Sequence, residues 1–315
     1  MTPTPPDVLL SVVLCTWNNA DRLGITLGAI SECEVPEAVG WELVVVNNSC
    51  TDHTDHVVGQ YSERLPVRLV HQPIQGLSHA RNLGVESAKG RYIVFTDDDV
   101  RPYRRWIATY LDAFERMPHG HYFGGPLESE FEADPIDSEL LRFAPWSVRG
   151  LSLGDKERPA GESERFVSAN WACSKQDIVR IGGFDTGLGI VGDNEASTGE
   201  ETDVMRRLRA LGLVPVYLPG ARIRHFVPKD KSSPDHIAGR LEAYGYYHAG
   251  EKYGADPGPL QLAQAVNQLV RAYGFFLRTR IAGRNWTSQH VKYRQALGET
   301  KRIVHSLIGS QRTEN

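Results

Sequence analysis

Short apolar runs alternate with helical patterns along the first hundred residues, and this alternation constrains the fold more than any other feature. Three runs have the length and apolar content of buried strands, namely 9–15, 41–48 and 91–96. Three stretches have helical spacing, namely 20–30, 51–61 and 77–90, and Gly90 is the expected stop of the third. Such alternation predicts a Rossmann-like α/β fold, a mostly parallel sheet flanked by helices.

Charge and cysteine content exclude several classes of protein. The 315 residues include 35 basic and 39 acidic side chains, a net charge of −4, so we expect no nucleic-acid partner. The four cysteines form no CxxC pair, which argues against a zinc cluster and favours a reducing compartment. The start MTPTPPDVLL lacks the pattern of a signal peptide, and no run of 18 apolar residues occurs. We therefore expect a cytoplasmic protein.

The pattern changes near residue 235, which predicts a domain of residues 1–235 followed by a C-terminal helical extension of residues 236–315. Between residues 271 and 302, eight basic residues stand against one acid, Glu299. A basic amphipathic helix can lie on an anionic membrane, which would place the protein peripherally at the inner face of the membrane. The alternative is a helix packed on the domain whose solvated face is basic. The sequence leaves both interpretations open.

Three consecutive aspartates, Asp97, Asp98 and Asp99, follow the third buried run directly. In parallel α/β sheets, ligands bind beyond the carboxyl ends of the strands, which is where these side chains fall. Asp97 and Asp99 could share Mg²⁺ or Mn²⁺, and such an ion would also bind phosphate oxygens of a substrate and offset the repulsion between the carboxylates. Alone, the DxD pattern is weak, because a solvated acidic turn also satisfies it.

Three further features favour a metal-binding site over a solvated turn as the interpretation of the DxD pattern. A predicted helix begins with three carboxylates that could take a proton from a hydroxyl, namely Glu200, Glu201 and Asp203. His225 ends an apolar run, where a neutral imidazole could complete a metal shell. Thr16, Trp17 and Asn18 lie at the end of the first strand, where the aromatic face of Trp17 could stack on a nucleotide base. Each feature also has a purely structural explanation. The acids could compensate the helix dipole, His225 could be a structural histidine, and Trp17 could pack within its loop.

Taken in order, these pieces resemble a family 2 glycosyltransferase with the GT-A fold. The matching segments are SVVLCTWNNADRL, VVVNNSCTDHT, GLSHARNLGVESAKGRYIVFTDDDV, GGFDTGLG, GEETDVMRRL and RIRHFVP. The resemblance covers residues 8–230, and the set in this order is far more specific than DxD alone. It implies transfer of a sugar from a nucleotide-sugar donor to an acceptor hydroxyl with inversion, as in the synthesis of polysaccharides or glycoconjugates.

The resemblance also implies roles at the donor end of the site. Asp97 would lie near the ribose and the diphosphate, Asp99 would hold the metal, and Asp98 is the intervening donor-side residue. His225 would be a further ligand of the metal or of the diphosphate. The metal, Mn²⁺ or Mg²⁺, would stabilise the charge that grows on the leaving diphosphate.

The nucleotide base would contact Thr16 and Trp17, next to Asn18, with Arg81 of the ARN segment close by. Relatives often carry an aspartate that reads the base at the end of the second strand, where this chain has Asn47. An amide both donates and accepts hydrogen bonds, so the identity of the base stays open.

The general base implied by the resemblance is Glu201, and Glu200 is its near rival. Many relatives have Glu-Asp here, whereas this chain has Glu-Glu. Asp203 and Trp171 are weaker candidates for acceptor contacts, and Trp171 could equally belong to the core. The acceptor itself would be a glycan or a lipid-linked glycan.

Two alternatives belong to other classes of protein. A nucleotidyltransferase that makes nucleotide-sugars would share the sheet and the metal, but it usually has a GxGxR-type loop where this chain reads CTWNNADR. A non-catalytic sugar- or nucleotide-binding relative would be expected to lose the DxD pattern or the acidic helix start. Both features are present in this chain.

Overall fold

The computed structural model describes residues 8–133, 138–189, 199–254, 257–283 and 287–310. Within them the larger sheet has eight strands: β1 (Val8–Thr16), β2 (Gly40–Asn47), β3 (Val67–His71), β4 (Tyr92–Asp97), β6 (His121–Gly124), β8 (Arg158–Pro159), β9 (Trp171–Ser174) and β10 (Val214–Tyr217). Their order across the sheet is β3-β2-β1-β4-β9-β6-β10-β8. A smaller sheet, in the order β5-β11-β7, contains β5 (Val100–Pro102), β7 (Leu127–Phe131) and β11 (Ile223–Val227).

The direction of the strands confirms the predicted parallel sheet in the first hundred residues. β1 runs parallel to both β2 and β4, and β2 runs parallel to β3. β9 lies between β4 and β6 and is antiparallel to both, so the sheet as a whole is mixed. A parallel pair needs a crossover connection, whereas an antiparallel strand can follow loops and short elements such as those that precede β9.

The helices are listed here in chain order: α1 (Ala20–Ser31), α2 (Thr54–Gly59), α3 (Leu77–Ser87), α4 (Trp106–Arg116), α5 (Ser138–Leu141), α6 (Trp146–Arg149), α7 (Lys175–Arg180), α8 (Glu200–Ala210), α9 (Pro234–Tyr253), α10 (Pro259–Ile281) and α11 (Thr287–Ser310). α3 ends three residues before Gly90, the stop that the sequence suggested. Gly90 instead packs closely against β1: a Cβ atom added at Gly90 would lie only 2.5 Å from the backbone nitrogen of Ser11. Gly90 therefore permits a close approach of two backbones.

Two compact units make up the described chain. The first is formed by the described residues of Met1–Glu130, Gly150–Asp193 and Gly199–Phe226. Its core joins valines of β1 and β2 to a cluster of aromatic rings, in which Phe95 stacks on Trp171 with centroids 4.6 Å apart. Parallel strands covered on both faces need side chains that are apolar throughout, which is why these segments read as continuous apolar runs.

The second unit is formed by the described residues of Phe131–Arg149 and Val227–Asn315 and is helical apart from strand ends. α9 and α11 approach closely at two glycines, since a Cβ atom on Gly245 or Gly298 would meet the backbone of the opposite helix. Arg294 and Lys301 of α11 both pair with Glu242 of α9. No helix among the described residues is long and apolar enough to cross a membrane. The predicted domain boundary after residue 235 stays a prediction.

Candidate functional site

The carboxyl ends of β1, β2 and β4 meet along one edge of the larger sheet. Thr16 is paired with Asn47 in the parallel register, and Cys15 is paired with Asp97. The loops that follow these three strands therefore lie side by side, as the chain pattern predicts for a ligand site in an α/β sheet. Most of the predicted site residues are on these loops or on elements that pack against them.

The smaller sheet brings His225 to the aspartate turn. β5 follows the turn directly and pairs antiparallel with β11, so that His225 lies opposite Val100. The amide of Phe226 donates a 2.9 Å hydrogen bond to the carbonyl oxygen of Asp99, which fixes the register. As a result, His225 Nε2 lies 3.3 Å from Asp99 Oδ1, and both side chains are mostly buried.

Asp98 turns away from Asp99 and contacts α1. Asn19 Nδ2 donates a 2.7 Å hydrogen bond to Asp98 Oδ1, and the Thr26 hydroxyl donates to the Asp98 carbonyl oxygen. Burial, together with the neighbouring charge of Asp99, raises the pKa of Asp98 to about 8. This carboxyl therefore holds a proton more readily than an ordinary aspartate does, which reduces the repulsion within the run of three aspartates.

Arg81 lies beneath the site as a buried cation. Its side chain is 2% exposed; Nη1 donates a 2.7 Å hydrogen bond to Glu200 Oε1, and Nη2 donates to Asp97 Oδ1 at 3.3 Å. The ring of Phe184 lies 5.5 Å from the guanidinium carbon. The sequence suggested that Arg81 is near the nucleotide base, whereas both arginine contacts found here are to acids of the site. A guanidinium with two fixed donors suits this bridging position.

Glu200 and Glu201, both at the start of α8, have different surroundings. Glu200 is 3% exposed and holds the ion pair with Arg81, while Glu201 is only half-buried. Burial, followed by the charge of Glu200, raises the pKa of Glu201 to about 8. Consecutive helical residues point about 100° apart, so the carboxylate of Glu200 can face the core while that of Glu201 is more exposed. In its ionised form, a carboxyl with a raised pKa is a stronger base than an ordinary one and can accept a proton from a hydroxyl.

Asp203, on the first turn of the same helix, forms two ion pairs. Arg206 Nη2 lies 2.7 Å from one carboxylate oxygen of Asp203, and Arg207 Nε donates a 2.8 Å hydrogen bond to the other. Although burial acts to raise it, these hydrogen bonds lower the pKa of Asp203. The structure therefore does not place Asp203 as a free acceptor contact.

Trp171 is fully buried in the core of the first unit, so its ring is not presented to the cleft. Its stacking on Phe95 favours the core interpretation over the acceptor contact. The preceding residue, Asn170, was missed by the sequence analysis. It accepts hydrogen bonds from Trp106 and Tyr110 through Oδ1, and it donates to two carbonyl oxygens through Nδ2.

The loop after β1 and the loop after β2 are hydrogen-bonded to each other. Asn18, with a positive φ of 49°, accepts a 2.7 Å hydrogen bond from the amide of Thr51. Asn47 donates to Asp55 and accepts from the amide of Cys50, both at 2.7 Å. Both polar atoms of the Asn47 amide therefore have partners within the fold. No sequence pattern pointed to Asp55, because its contact with Asn47 depends on how α2 packs on the sheet.

The first loop begins at the end of β1, next to Asp97 at the end of β4. Thr16 is buried and Trp17 is half-buried at the end of β1. Ser168 donates a 3.4 Å hydrogen bond to Asp97 Oδ2 from the segment before β9. Thr16, Trp17 and Asn18 thus border the same strand ends as the aspartates, and their contact with a nucleotide base stays a prediction.

The donor set around Asp99 fits a divalent cation. No group of three or more carboxylate, imidazole or thiol side chains in the described ranges has the spacing of a complete metal shell. However, Asp99 Oδ1 is buried and accepts no hydrogen bond from the described residues, although it lies next to His225. Mg²⁺ and Mn²⁺ are commonly held by one or two protein side chains together with substrate phosphates and water. Asp99 and His225 match that arrangement.

The chain is similar in sequence to several glycosyltransferases. Residues 11–163 match the family model described as Glycosyl transferase family 2. The Glucosyl-dolichyl phosphate glucuronosyltransferase of Haloferax volcanii is 25% identical over 242 residues, which cover 75% of each chain. The Validoxylamine A glucosyltransferase of Streptomyces hygroscopicus subsp. jinggangensis is 28% identical over 236 residues, which cover 65% of this chain and 52% of that relative.

Two solved structures are similar in fold. The mannosyltransferase PcManGT from Pyrobaculum calidifontis, in complex with GDP-Man and Mn²⁺, has a TM-score of 0.58 and 18% identity, and the match covers 96% of this chain and 90% of that one. GalNAc-T7 with UDP, GalNAc and Mn²⁺ has a TM-score of 0.54 and 15% identity, covering 78% and 51%. At these identities the likeness shows the fold, which is the GT-A fold. With the family match and the sequence relatives, these findings show a glycosyltransferase of the GT-A fold that is similar to the family 2 glycosyltransferases.

Proposed function

We propose that this glycosyltransferase is inverting, requires Mn²⁺ or Mg²⁺, and takes its sugar from a nucleotide-sugar. The observation that supports this most directly is the pair of contacts made by Arg81, which touches both Asp97 and Glu200. Arg81 and Glu200 are 119 residues apart in the chain. These contacts place the aspartate turn and the acidic start of α8 in one cluster, as a transfer between donor and acceptor requires.

The donor diphosphate would bind at the aspartate turn. Asp99 and His225 would hold the cation, with Asp97 beside them, and the cation would supply positive charge opposite the leaving diphosphate. The nucleotide base would lie against Thr16, Trp17 and Asn18. Because both polar atoms of the Asn47 side chain have partners, we assign Asn47 to shaping this loop through Cys50.

The acceptor would be activated by Glu201. Its carboxylate takes the proton of the acceptor hydroxyl while the hydroxyl oxygen forms a bond to the anomeric carbon of the sugar. The bond from that carbon to the diphosphate oxygen breaks on the opposite side, so the configuration inverts and a nucleoside diphosphate leaves. Glu200 is less suited to this role, because one of its oxygens already accepts a hydrogen bond from Arg81.

A glycan or a lipid-linked glycan is the proposed acceptor, which would place the enzyme in polysaccharide or glycoconjugate synthesis. A relative named Glucosyl-dolichyl phosphate glucuronosyltransferase supports the lipid-linked option. A cytoplasmic location belongs to the same proposal, supported by four cysteines that are all free in the structure.

Calorimetry tests the donor end of the site. UDP, GDP, dTDP and CDP would each be titrated, with Mn²⁺ and with EDTA, into the wild type and into Asp99→Asn. We expect one nucleotide to bind tightly with Mn²⁺ only, and the variant to bind it at least about tenfold more weakly, since hydrogen bonds to charged groups contribute about 1.5–3 kcal/mol. Equal binding with EDTA, or by the variant, would contradict the metal assignment.

Turnover in two variants tests the base. With the donor so identified and a panel of glycan acceptors, release of nucleoside diphosphate would be measured for Glu201→Gln and for Glu200→Gln. Glu201→Gln should retain donor binding and its folded state but lose transfer by about 10²-fold or more. Retained turnover in Glu201→Gln would assign the base to another residue.

A further inference from the structure

Helix α10 carries an apolar stripe that the fold leaves exposed. Of its 23 residues, two are fully buried, Ala265 and Phe276. A second row of apolar side chains follows the helix at positions i, i+4, i+7, i+11 and i+15: Val266, Val270, Tyr273, Leu277 and Ile281. This spacing is the period of one helical face, so the five side chains form a continuous row, here called the outer stripe.

The outer stripe faces solvent along most of its length. Val266 is 41% exposed, Val270 63% and Ile281 84%, while Leu277 is half-buried. Tyr273 lies at its edge, where its ring also contacts Tyr293 of α11 at 5.1 Å. Ordinary proteins scatter single apolar residues over their surface, but a contiguous apolar row marks an interaction site.

Arginines border the outer stripe, and α10 has no acid. Arg271 and Arg278 are seven residues apart, which places them on one row beside the stripe. Both are exposed, and neither has an acidic partner within the part of the chain that the structure describes. Phe275, 59% exposed, lies between them on the same row. The basic charge that the sequence shows over 271–302 is therefore partly paired on α11, whereas Arg271 and Arg278 of α10 have no acidic partner among the described residues. Arg284 lies outside the described residues.

We propose that α10 is the surface by which this protein binds an anionic lipid bilayer. The helix would lie in the plane of the interface, about 35 Å long at 1.5 Å per residue. The outer stripe would enter the boundary between headgroups and acyl chains, and Arg271 and Arg278 would extend along it to the lipid phosphates. A tyrosine at the edge of the stripe suits this boundary, because its ring is apolar and its hydroxyl is polar.

Charge favours a membrane over a second copy of the chain. An identical helix laid against α10 would bring arginines against arginines, with no acid on either side to compensate them. An anionic bilayer provides both an apolar layer for the stripe and negative charge for the arginines. This inference goes beyond the proposed function, and its test uses no activity measurement.

Cosedimentation of the full-length protein with vesicles tests the proposal. Phosphatidylcholine vesicles with and without phosphatidylglycerol would be compared at low and high salt. We expect binding to the anionic vesicles, weakened by salt. Arg271→Gln/Arg278→Gln should lower the partition coefficient about 25-fold, since each arginine near the surface contributes about fivefold. Val270→Ser/Ile281→Ser should lower it by about tenfold per residue.

Matched controls separate the surface of α10 from general charge and apolarity. Arg104→Gln/Arg105→Gln has the same net charge as the arginine variant, and Ile74→Ser/Val179→Ser removes two other exposed apolar residues. Both controls should bind as the wild type does. Equal binding by all variants, or absence of binding to anionic vesicles, would overturn the proposal. A dimer in light scattering that Val270→Ser/Ile281→Ser dissociates, without vesicle binding, would also overturn it in favour of a second copy.

Discussion

Replacement of Arg81 by methionine should destabilise the first unit far more than loss of a surface ion pair. The guanidinium is 2% exposed and compensates Glu200, whose side chain is 5% exposed, as well as the more accessible Asp97. Methionine fills much of the volume but leaves Glu200 as a buried carboxylate without its cation. Removal of one partner of a buried ion pair costs about 3–5 kcal/mol. That is a large fraction of a total stability of about 5–15 kcal/mol.

Arg116→Met is the matched control, because it removes an arginine–glutamate pair that is exposed to solvent. Arg116 makes two hydrogen bonds of 2.8 Å to Glu157, so its geometry is at least as good as that of Arg81. Both side chains of that pair are exposed to solvent, at 52% and 38%. Exposed ion pairs contribute about 0–1 kcal/mol, so Arg116→Met should change the free energy of unfolding by no more than about 1 kcal/mol.

Urea denaturation, followed by near-ultraviolet circular dichroism, measures both variants. Arg81→Met should lose about 3–5 kcal/mol. The double variant Arg81→Met/Glu200→Gln should recover part of this loss, because the stranded carboxylate is then neutral. If Arg81→Met were within about 1 kcal/mol of Arg116→Met, the site would tolerate an uncompensated Glu200, and the central position of Arg81 would be wrong.

Four further predictions rest on single contacts. Gly90→Ala should cost about 1–3 kcal/mol in urea denaturation, because its Cβ atom would lie 2.5 Å from the β1 backbone; a neutral effect would mean that the backbone at Gly90 can move away from β1. Trp171→Ala should cost about 3–5 kcal/mol by the same assay, and a small cost would favour the acceptor contact over the core interpretation of Trp171. Glu201 has a pKa raised from 4.5 to about 8, so the folded chain keeps a proton that the unfolded chain releases between these values, and stability falls as pH rises through this window. Glu201→Gln should therefore melt at a higher temperature than the wild type at pH 9 and at the same temperature at pH 4; a constant difference would contradict the shift. With the bound nucleotide, Mn²⁺ should raise the melting temperature of the wild type and not that of Asp99→Asn, and an equal rise would place the cation elsewhere.

Local pattern was enough to predict the elements that position the site. The apolar runs ending at Thr16, Asn47 and Asp97 mark three strands, and a parallel sheet puts their carboxyl ends on one edge. The orientation of individual side chains could not be predicted, because it depends on contacts between distant segments. Asp98 faces α1 because Asn19 lies there, 79 residues earlier in the chain.

The roles within the Glu-Glu pair show the same limit. Nothing in GEETD distinguishes Glu200 from Glu201, and the sequence analysis preferred Glu201 by resemblance alone. The distinction comes from Arg81 on α3, since only Glu200 reaches it. Arg81 itself was placed by the resemblance close to the nucleotide base. A buried arginine cannot be recognised from local sequence, because the partners that compensate it lie far away in the chain.

The crowding of acids at this site is resolved by three different means. Glu200 and Asp97 are compensated by the buried guanidinium of Arg81. Asp98 and Glu201 have raised pKa values, so each holds a proton more readily than an ordinary carboxyl does. Asp99 remains, with one buried oxygen that accepts no hydrogen bond from the described residues. Because Arg81 pairs with Asp97 and the Asp98 carboxyl accepts from Asn19, Asp99 beside His225 is the acid of this turn that is left to attract a cation bound to a diphosphate.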